Sequence, residues 1–276
     1  MELLRPIPAG DTKAILFDFD GTISLLRAGW QEIMVNFMRE VLAEAAPKED
    51  PSTLSETIEQ FVTELTGKQT IYQMLRLCDE VRKRGREPKE ALFYKHQYHD
   101  RLMDAIRYRI EGLKSGRYQP QDWRVKGVAT FLEELQLKGL PLYLASGTDE
   151  GFVLEEARLL EVDRFFPGRI FGALDQYTQF SKELLIGQIR SDLGLQGAEF
   201  MAVGDGYVEI RDTRRAGGVA IGVASREDGQ PGWDEWKRER LTSAGADVLI
   251  PDFESAQPIL NFLQRPETII PEEFKS

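Results

Sequence analysis

With 276 residues, 42% hydrophobic and 29% charged, the chain has the composition of a folded globular protein, which excludes the disordered and collagen-like classes. Lys plus Arg number 35 against 46 Asp plus Glu, a net charge of −11, so no nucleic-acid partner and no anionic membrane surface is expected. The single cysteine, Cys78, can close no internal disulfide, and with only His96 and His99 beside it there is no zinc-type ligand set. Any metal must be held by oxygen. The longest stretch without a charged residue is ten positions, about half a membrane span, and Glu2 and Arg5 break up any secretory leader. These features predict a cytoplasmic protein of one or two domains.

Taken in chain order, Ala14-Ile15-Leu16-Phe17 is an apolar run ending in Asp18, the pattern of a strand buried on both faces of a parallel sheet. Comparable runs follow at Leu140 to Ala145, Arg169 to Ala173, Phe200 to Val203 and Val219 to Val223, with a further one at Asp247 to Ile250. Helical patterns lie between most of them, including Lys126 to Lys138 with Gly139 as its stop. Alternation of this kind predicts an α/β fold with an open, Rossmann-like parallel sheet.

About 115 residues without a strand signal separate the first two runs, too many for one crossover helix. Within them, Trp30, Ile33, Met34, Phe37, Met38, Val41, Leu42 and Ala45 form one helical stripe, and Leu54, Ile58, Phe61, Val62 and Leu65 a second. Ile71, Met74, Leu75 and Cys78 mark a third, and Tyr98, Leu102, Ile106, Ile110 and Leu113 a fourth, with Pro47, Pro51 and Gly67 at the connections. The expected organisation is an α/β core from residues 1–24 and 121–276 and an all-helical cap from 25–120. There is no internal repeat, and residues 266–276, polar with two prolines, predict a loosely held tail.

Ligands of open α/β sheets bind beyond the carboxyl ends of strands, where the first strand reads Asp18-Phe19-Asp20-Gly21-Thr22. Residues two apart in an extended chain point the same way, so Asp18 and Asp20 can face one pocket while Gly21 permits a sharp turn; an acidic helix-capping loop is the plainer alternative. Ser146-Gly147-Thr148 follows the second run as a hydroxyl-rich turn that can hold an oxyanion or cap a helix starting near Glu150, with Thr148 or Asp149 as the cap. Lys182 opens a helix over Glu183 to Leu193, where a cation opposes the helix dipole; it is either functional or a solvated surface lysine. Gly204-Asp205 ends a further buried strand, with Glu209 four positions on. Several carboxylates converging on one place require a cation, and an all-oxygen set selects Mg²⁺.

The order Asp18-x-Asp20-Gly21-Thr22, Ser146, Lys182, Gly204-Asp205 resembles the four signature motifs of the haloacid dehalogenase superfamily, with 36 residues from Ser146 to Lys182 and 23 from Lys182 to Asp205. The resemblance covers about Lys13 to Leu263, and a helical insert after the first motif resembles the cap of its phosphoglycolate phosphatase and β-phosphoglucomutase branch. It implies Asp18 as nucleophile, Asp20 as general acid and base, Ser146 and Gly147 on phosphate oxygens, and Lys182 balancing charge. It also implies Mg²⁺ held by Asp18, the Asp20 carbonyl and Asp205, with Glu209 reaching the metal through water or orienting Lys182.

Glu209 stands where an aspartate is more usual, and Glu183 follows Lys182 in place of a common proline. The stretch Ala224 to Ala244 is longer than in most relatives and reads as a surface helix with its loop, an oligomer contact or a flap. Gly67-Lys68-Gln69-Thr70, between the second and third cap helices, resembles in position a specificity loop, which implies that Lys68 or Gln69 touches the leaving group, a solvent-exposed loop lysine being the alternative, while His96 and His99 read as surface or packing residues. Arg117 and Tyr118, near the return hinge, are undecided. The expected function is a Mg²⁺-dependent phosphatase for a small phosphorylated metabolite of the sugar-phosphate or phosphoglycolate type, acting through an aspartyl-phosphate. The alternatives are a sugar-phosphate mutase and a non-catalytic scaffold binding a phosphorylated ligand or a protein.

Overall fold

The computed structural model describes residues 1–174, 176–254, 256–260, 263–265 and 268–271. Each expected strand forms: β3 (Ala14–Asp18), β4 (Leu142–Asp149), β5 (Ile170–Ala173), β6 (Phe200–Gly204), β7 (Val219–Val223) and β8 (Val248–Ile250), β7 with the expected ends and others shifted by one to four residues. Two short strands precede them, β1 (Glu2–Leu3) and β2 (Gly10–Asp11), and β9 (Gln264–Arg265) follows. The main sheet has the order β1-β8-β7-β6-β3-β4-β5, parallel except for the antiparallel edge pair β1 and β8. β3, β6 and β7 are buried along their whole length, as continuous apolar runs in a doubly covered sheet must be. Because the chain leaves β3 for β4 on one side and later returns to β6 on the other, the carboxyl ends of these three strands adjoin. That crevice is where an open α/β sheet places its ligand.

The long insertion is four helices: α1 (Trp30–Ala45), α2 (Pro51–Glu64), α3 (Thr70–Lys83) and α4 (Ala91–Lys114). The apolar stripes meet in one cluster, with Met34, Phe37, Met38 and Leu42 of α1 packing among Ile58, Phe61, Met74, Leu77, Tyr98 and Ile106. Asp50 caps α2 by accepting from the Ser52 N–H, and Pro51 occupies its first turn, where its missing N–H costs nothing. α4 is longer than its apolar stripe implied, because its first turns present Tyr94 and Lys95 inward. Leu25 and Leu26 pack with the sheet and not with the four helices, so the chain stays in the sheet's core past residue 24.

The remaining helices cover the sheet: α5 (Val128–Leu137), α6 (Glu150–Leu159), α7 (Lys182–Asp192), α8 (Tyr207–Arg215), α9 (Glu235–Ala244) and α10 (Ala256–Leu260). α5 stops where Gly139 adopts a positive φ of 71°. Two expectations are corrected. Ser146-Gly147-Thr148 is the irregular end of β4 and not a turn, because pairing with β5 resumes at Asp149 after a register shift. Asp149 does stand at the N-cap of α6, but it makes no side-chain capping bond, its carboxylate being taken by Lys95.

The stretch 224–244 is a loop plus α9, which packs Leu241 and Ala244 beside β7 and β8 while exposing Trp236. Of the expected tail, 266–267 and 272–276 lie outside the described residues; Ile269 is held, exchanging two backbone hydrogen bonds with Ile7. Among the described residues no helix is long and apolar enough to cross a membrane.

Candidate active site

A cleft lies between the carboxyl edge of the sheet and the four inserted helices. Asp18, Asp20, Ser146, Gly147, Thr148, Asp149, Lys182 and Asp205 form its floor. Asp18 is the last residue of β3 and only 7% exposed, which makes a charge there costly unless it is matched. Lys182 supplies the match with Nζ 2.7 Å from Asp18 Oδ1 and 3.1 Å from Glu209 Oε2. Its place follows from local chemistry: Ser181 caps α7 by accepting from the Leu184 N–H, so Lys182 is the first helical residue and projects from the helix start into the site.

Glu209 is fixed in turn, accepting from the Gly206 N–H at 2.6 Å in the first turn of α8. It is buried and does not line the cleft, so its visible work is to orient Lys182. Burial pushes the Asp18 carboxyl well above the ordinary range against the pull of Lys182, and the negative neighbours Glu209 and Asp205 add to the rise. For Lys182 burial favours the neutral form, but Asp18 and Glu209 outweigh it and hold the ammonium above its ordinary value.

Asp20 turns into the cleft beside Asp18. Its Oδ2 accepts hydrogen bonds from Ser146 Oγ at 3.0 Å and Thr148 Oγ1 at 3.1 Å, and the Thr148 N–H donates to Ser146 Oγ at 3.0 Å. Ser146, expected on phosphate oxygens, is therefore engaged with Asp20 in this structure. Thr148, read from sequence as part of an oxyanion-holding turn or as a helix cap, is a second orienting hydroxyl. Ser146 and Thr148 stand two apart near the end of β4, so both hydroxyls face the same carboxylate.

Gly21 has φ 75°, and a Cβ there would overlap Asp205 Oδ2, so the turn after Asp20 tolerates only glycine. Asp18, Asp205 and Glu209 each bring one oxygen within 4.8 Å of the others. With no sulfur or imidazole among them, this donor set fits a hard divalent cation. Burial raises the Asp205 carboxyl, Lys237 opposes the rise and Glu209 adds to it.

The inserted helices form the opposite wall. Trp30 and Met34 of α1 and Tyr98, His99 and Leu102 of α4 give it a largely apolar face, beside Thr66, Gly67, Lys68, Thr70 and Gln73. Lys68 lines the cleft, its ammonium 5.8 Å from the Tyr72 ring centroid. Gln69 does not line it. Its amide donates to the Phe180 and Tyr177 carbonyls at 2.5 and 3.0 Å, so a residue expected to touch a leaving group instead ties this loop to the core. Gly147 lets the loop come close, since a Cβ there would stand 2.7 Å from the Lys68 carbonyl oxygen.

His96 is exposed, whereas His99 lines the cleft and packs on Phe152 at 4.1 Å between ring centroids. Arg117 is exposed and Tyr118 packs edge-on against Trp123; neither lines the cleft. Three further residues went unread in the sequence. Arg27 is buried, contacts Glu156 of α6 through Nε and Nη2, and sits 3.9 Å from Asp20 Oδ1. Lys95, also buried, pairs with Asp149 at 2.5 Å. Lys237 reaches Asp205.

A family model described as haloacid dehalogenase-like hydrolase matches residues 12–217. The chain belongs to this family. Among curated proteins, a 5'-nucleotidase of Pseudomonas aeruginosa is 31% identical over 117 residues, 42% of this chain and 50% of that protein; the chain thus spans about half the length of the curated relative it matches. Among solved structures, a β-phosphoglucomutase from Clostridium difficile superposes with a TM-score of 0.59 at 12% identity, covering 91% of this chain and 97% of that one. A predicted phosphoglycolate phosphatase from Haemophilus somnus gives 0.56 at 17%, covering 90% and 98%. At such identities the likeness is one of fold, and it includes the expected α/β core with a helical insert. The motif order read from this hydrolase's sequence and the matched family agree.

Proposed function

We propose that this haloacid dehalogenase-like hydrolase is a Mg²⁺-dependent phosphatase of a small phosphorylated metabolite. One observation carries the reading: Asp18 and Asp20 line one cleft from the end of a central strand, with the Lys182 ammonium 2.7 Å from Asp18. Such a pair divides the labour of phosphoester hydrolysis. Asp18 attacks phosphorus in line, breaking the ester bond and forming an aspartyl-phosphate; Asp20 delivers a proton to the departing alkoxide and then takes one from the water that hydrolyses the intermediate.

The orienting hydroxyls of Ser146 and Thr148 hold one oxygen of Asp20, which leaves the other for this proton traffic. Lys182 offsets charge on Asp18 and on the phosphoryl group. Asp18, Asp205 and the carbonyl of Asp20 would hold Mg²⁺, with Glu209 behind them holding Lys182. When bound, the ion supplies electrostatic stabilisation of the phosphoryl oxygens.

The cap wall is assigned to substrate choice. Its lining mixes polar side chains such as Lys68 and Gln73 with the apolar surfaces of Trp30, Tyr98 and Leu102, so a leaving group with both polar and apolar groups fits it. Phosphate release from a panel of sugar phosphates, phosphoglycolate and nucleoside 5'-monophosphates, the last included because of the P. aeruginosa relative, tests the proposal with Mg²⁺ and with EDTA. Mg²⁺-dependent release is expected. A folded protein that releases none from any compound, or releases it equally well in EDTA, sinks the reading.

A further inference from the structure

Two lysines flank the acidic cluster in the same way. Lys182 stands in the first turn of α7 and bridges Asp18 and Glu209; Lys237 stands in the first turn of α9 and bridges Asp205 and Glu227, with Nζ 2.8 Å from Asp205 Oδ2 and 3.1 Å from Glu227 Oε1. Both are buried, at 5% and 4% exposure, and both oppose their helix dipole. They differ in one respect. Lys182 lines the cleft and Lys237 does not, so Lys237 approaches Asp205 from within the protein.

The segment that delivers Lys237 is built onto the same site. After β7 the loop is closed at its base by the Asp234 N–H donating to the Ala224 carbonyl at 3.0 Å and by a bridge between Ser225 and Trp233. Asp234 caps α9 by accepting from the backbone N–H of Lys237 itself, which fixes where the lysine leaves the helix. Ser225 Oγ donates to the Gly21 carbonyl at 2.5 Å, and Glu227 Oε2 accepts from the Gly29 N–H at 3.3 Å, just before α1. A surface helix would need none of these ties.

We propose that Lys237 is a positioning residue for the metal site: its buried ammonium holds Asp205 Oδ2, so that the carboxylate's other oxygen is presented to the divalent cation. This rests on the metal-site reading given under the proposed function. The reasoning is the one that applies to outer partners of metal-binding side chains generally, whose hydrogen bonds fix ligand orientation and whose loss weakens binding. Lys237 is not a catalytic residue, since it does not reach the cleft.

The test is calorimetric titration of the metal-free protein with Mg²⁺ and no substrate, comparing wild type, Lys237→Met, Glu227→Gln and the double variant Lys237→Met with Glu227→Gln. The double variant keeps the local net charge of wild type and carries the test if the single variant fails to fold. Mg²⁺ binding about 10–100-fold weaker in both variants, with Glu227→Gln alone close to wild type, is the expected result. Binding equal to wild type, whatever the change in melting temperature, overturns the proposal, because a purely structural lysine would lower stability alone. Tighter binding also overturns it, since the ammonium would then be a competitor of the ion. A wild type that binds no Mg²⁺ overturns this inference together with the metal-site reading, whereas a wild type that binds Mg²⁺ but releases no phosphate sinks only the phosphatase.

Discussion

The two sides of the cleft are built differently. On the floor the main charged groups are held by second groups: Asp18 by Lys182, Lys182 by Glu209, Glu209 by the Gly206 N–H, Asp20 by two hydroxyls and Asp205 by Lys237. On the wall, Trp30, Met34 and Leu102 contribute area and shape, Lys68 an ammonium over a ring, and Lys95 an ion pair that ties the wall to Asp149 on the floor. A floor of interlocked charges specifies one geometry and so one chemistry, while an apolar wall can be repacked at small cost. On the proposed function, reaction type and substrate choice thereby fall on two parts of the chain.

Removing one floor group should therefore have the largest effect. Asp18→Asn keeps the shape but removes the proposed nucleophile, and turnover is expected to fall by on the order of 10³-fold or more with the fold intact. Retention of a tenth of wild-type kcat would break the assignment. Next in size is the contact that joins floor to helices. Arg27→Met leaves Glu156 buried and unpaired, which should cost about 3–5 kcal/mol of stability. Burial already pushes the Glu156 carboxyl above its ordinary value even with Arg27 present. Denaturant titration measures this, and adding Glu156→Gln should restore most of the loss; a double variant as unstable as the single would show that Arg27 acts through something other than this pair.

Gly147→Ala sharpens the comparison at the junction of floor and wall. Its Cβ would press on the Lys68 carbonyl, an overpacking expected to cost about 1–3 kcal/mol, divided between stability and the seating of the cap loop. KM should rise more than kcat falls, because the loop belongs to the wall. A fall in kcat at unchanged KM would show that the substitution disturbs the reacting groups of the floor and not the cap loop.

The same division explains what the sequence disclosed. Asp18, Asp20 and Asp205 stand after buried apolar runs and Lys182 at a helix start, so local pattern alone marks them, and the parallel sheet is legible for the same reason. Lys237 was not legible. In Glu235-Trp236-Lys237-Arg238-Glu239-Arg240 it looks like any solvated helix lysine, and its buried place follows from partners, Asp205 and Glu227, outside its own helix. Arg27 and Lys95 owe their burial to partners 129 and 54 residues away. Gln69 was misread because a polar loop residue near a site has two outlets, and the free carbonyls after β5 captured its amide. The edge strands β1, β2 and β9, two residues each, are too short to carry a period.

The smallest effect expected is a pH dependence on the wall. His99, half-buried against Phe152, is held below its ordinary value by desolvation first and by the Arg27 cation second, with Lys95 in the same direction and Asp149 and Asp100 opposing. A histidine with a depressed folded value binds fewer protons folded than unfolded. Its contribution is therefore whole above the ordinary imidazole range and is lost as pH falls through the lowered value. Urea midpoints of wild type and His99→Gln at pH 7.5 and 5.5 isolate that contribution, because the other titrating groups are shared. Wild type should lose more stability across the interval than the variant. The variant should also leave kcat for a good phosphoester nearly unchanged, since His99 belongs to the wall. Equal losses of stability in the two proteins would remove His99 from the pH response, and a collapse of kcat would move it from the wall to the reacting groups.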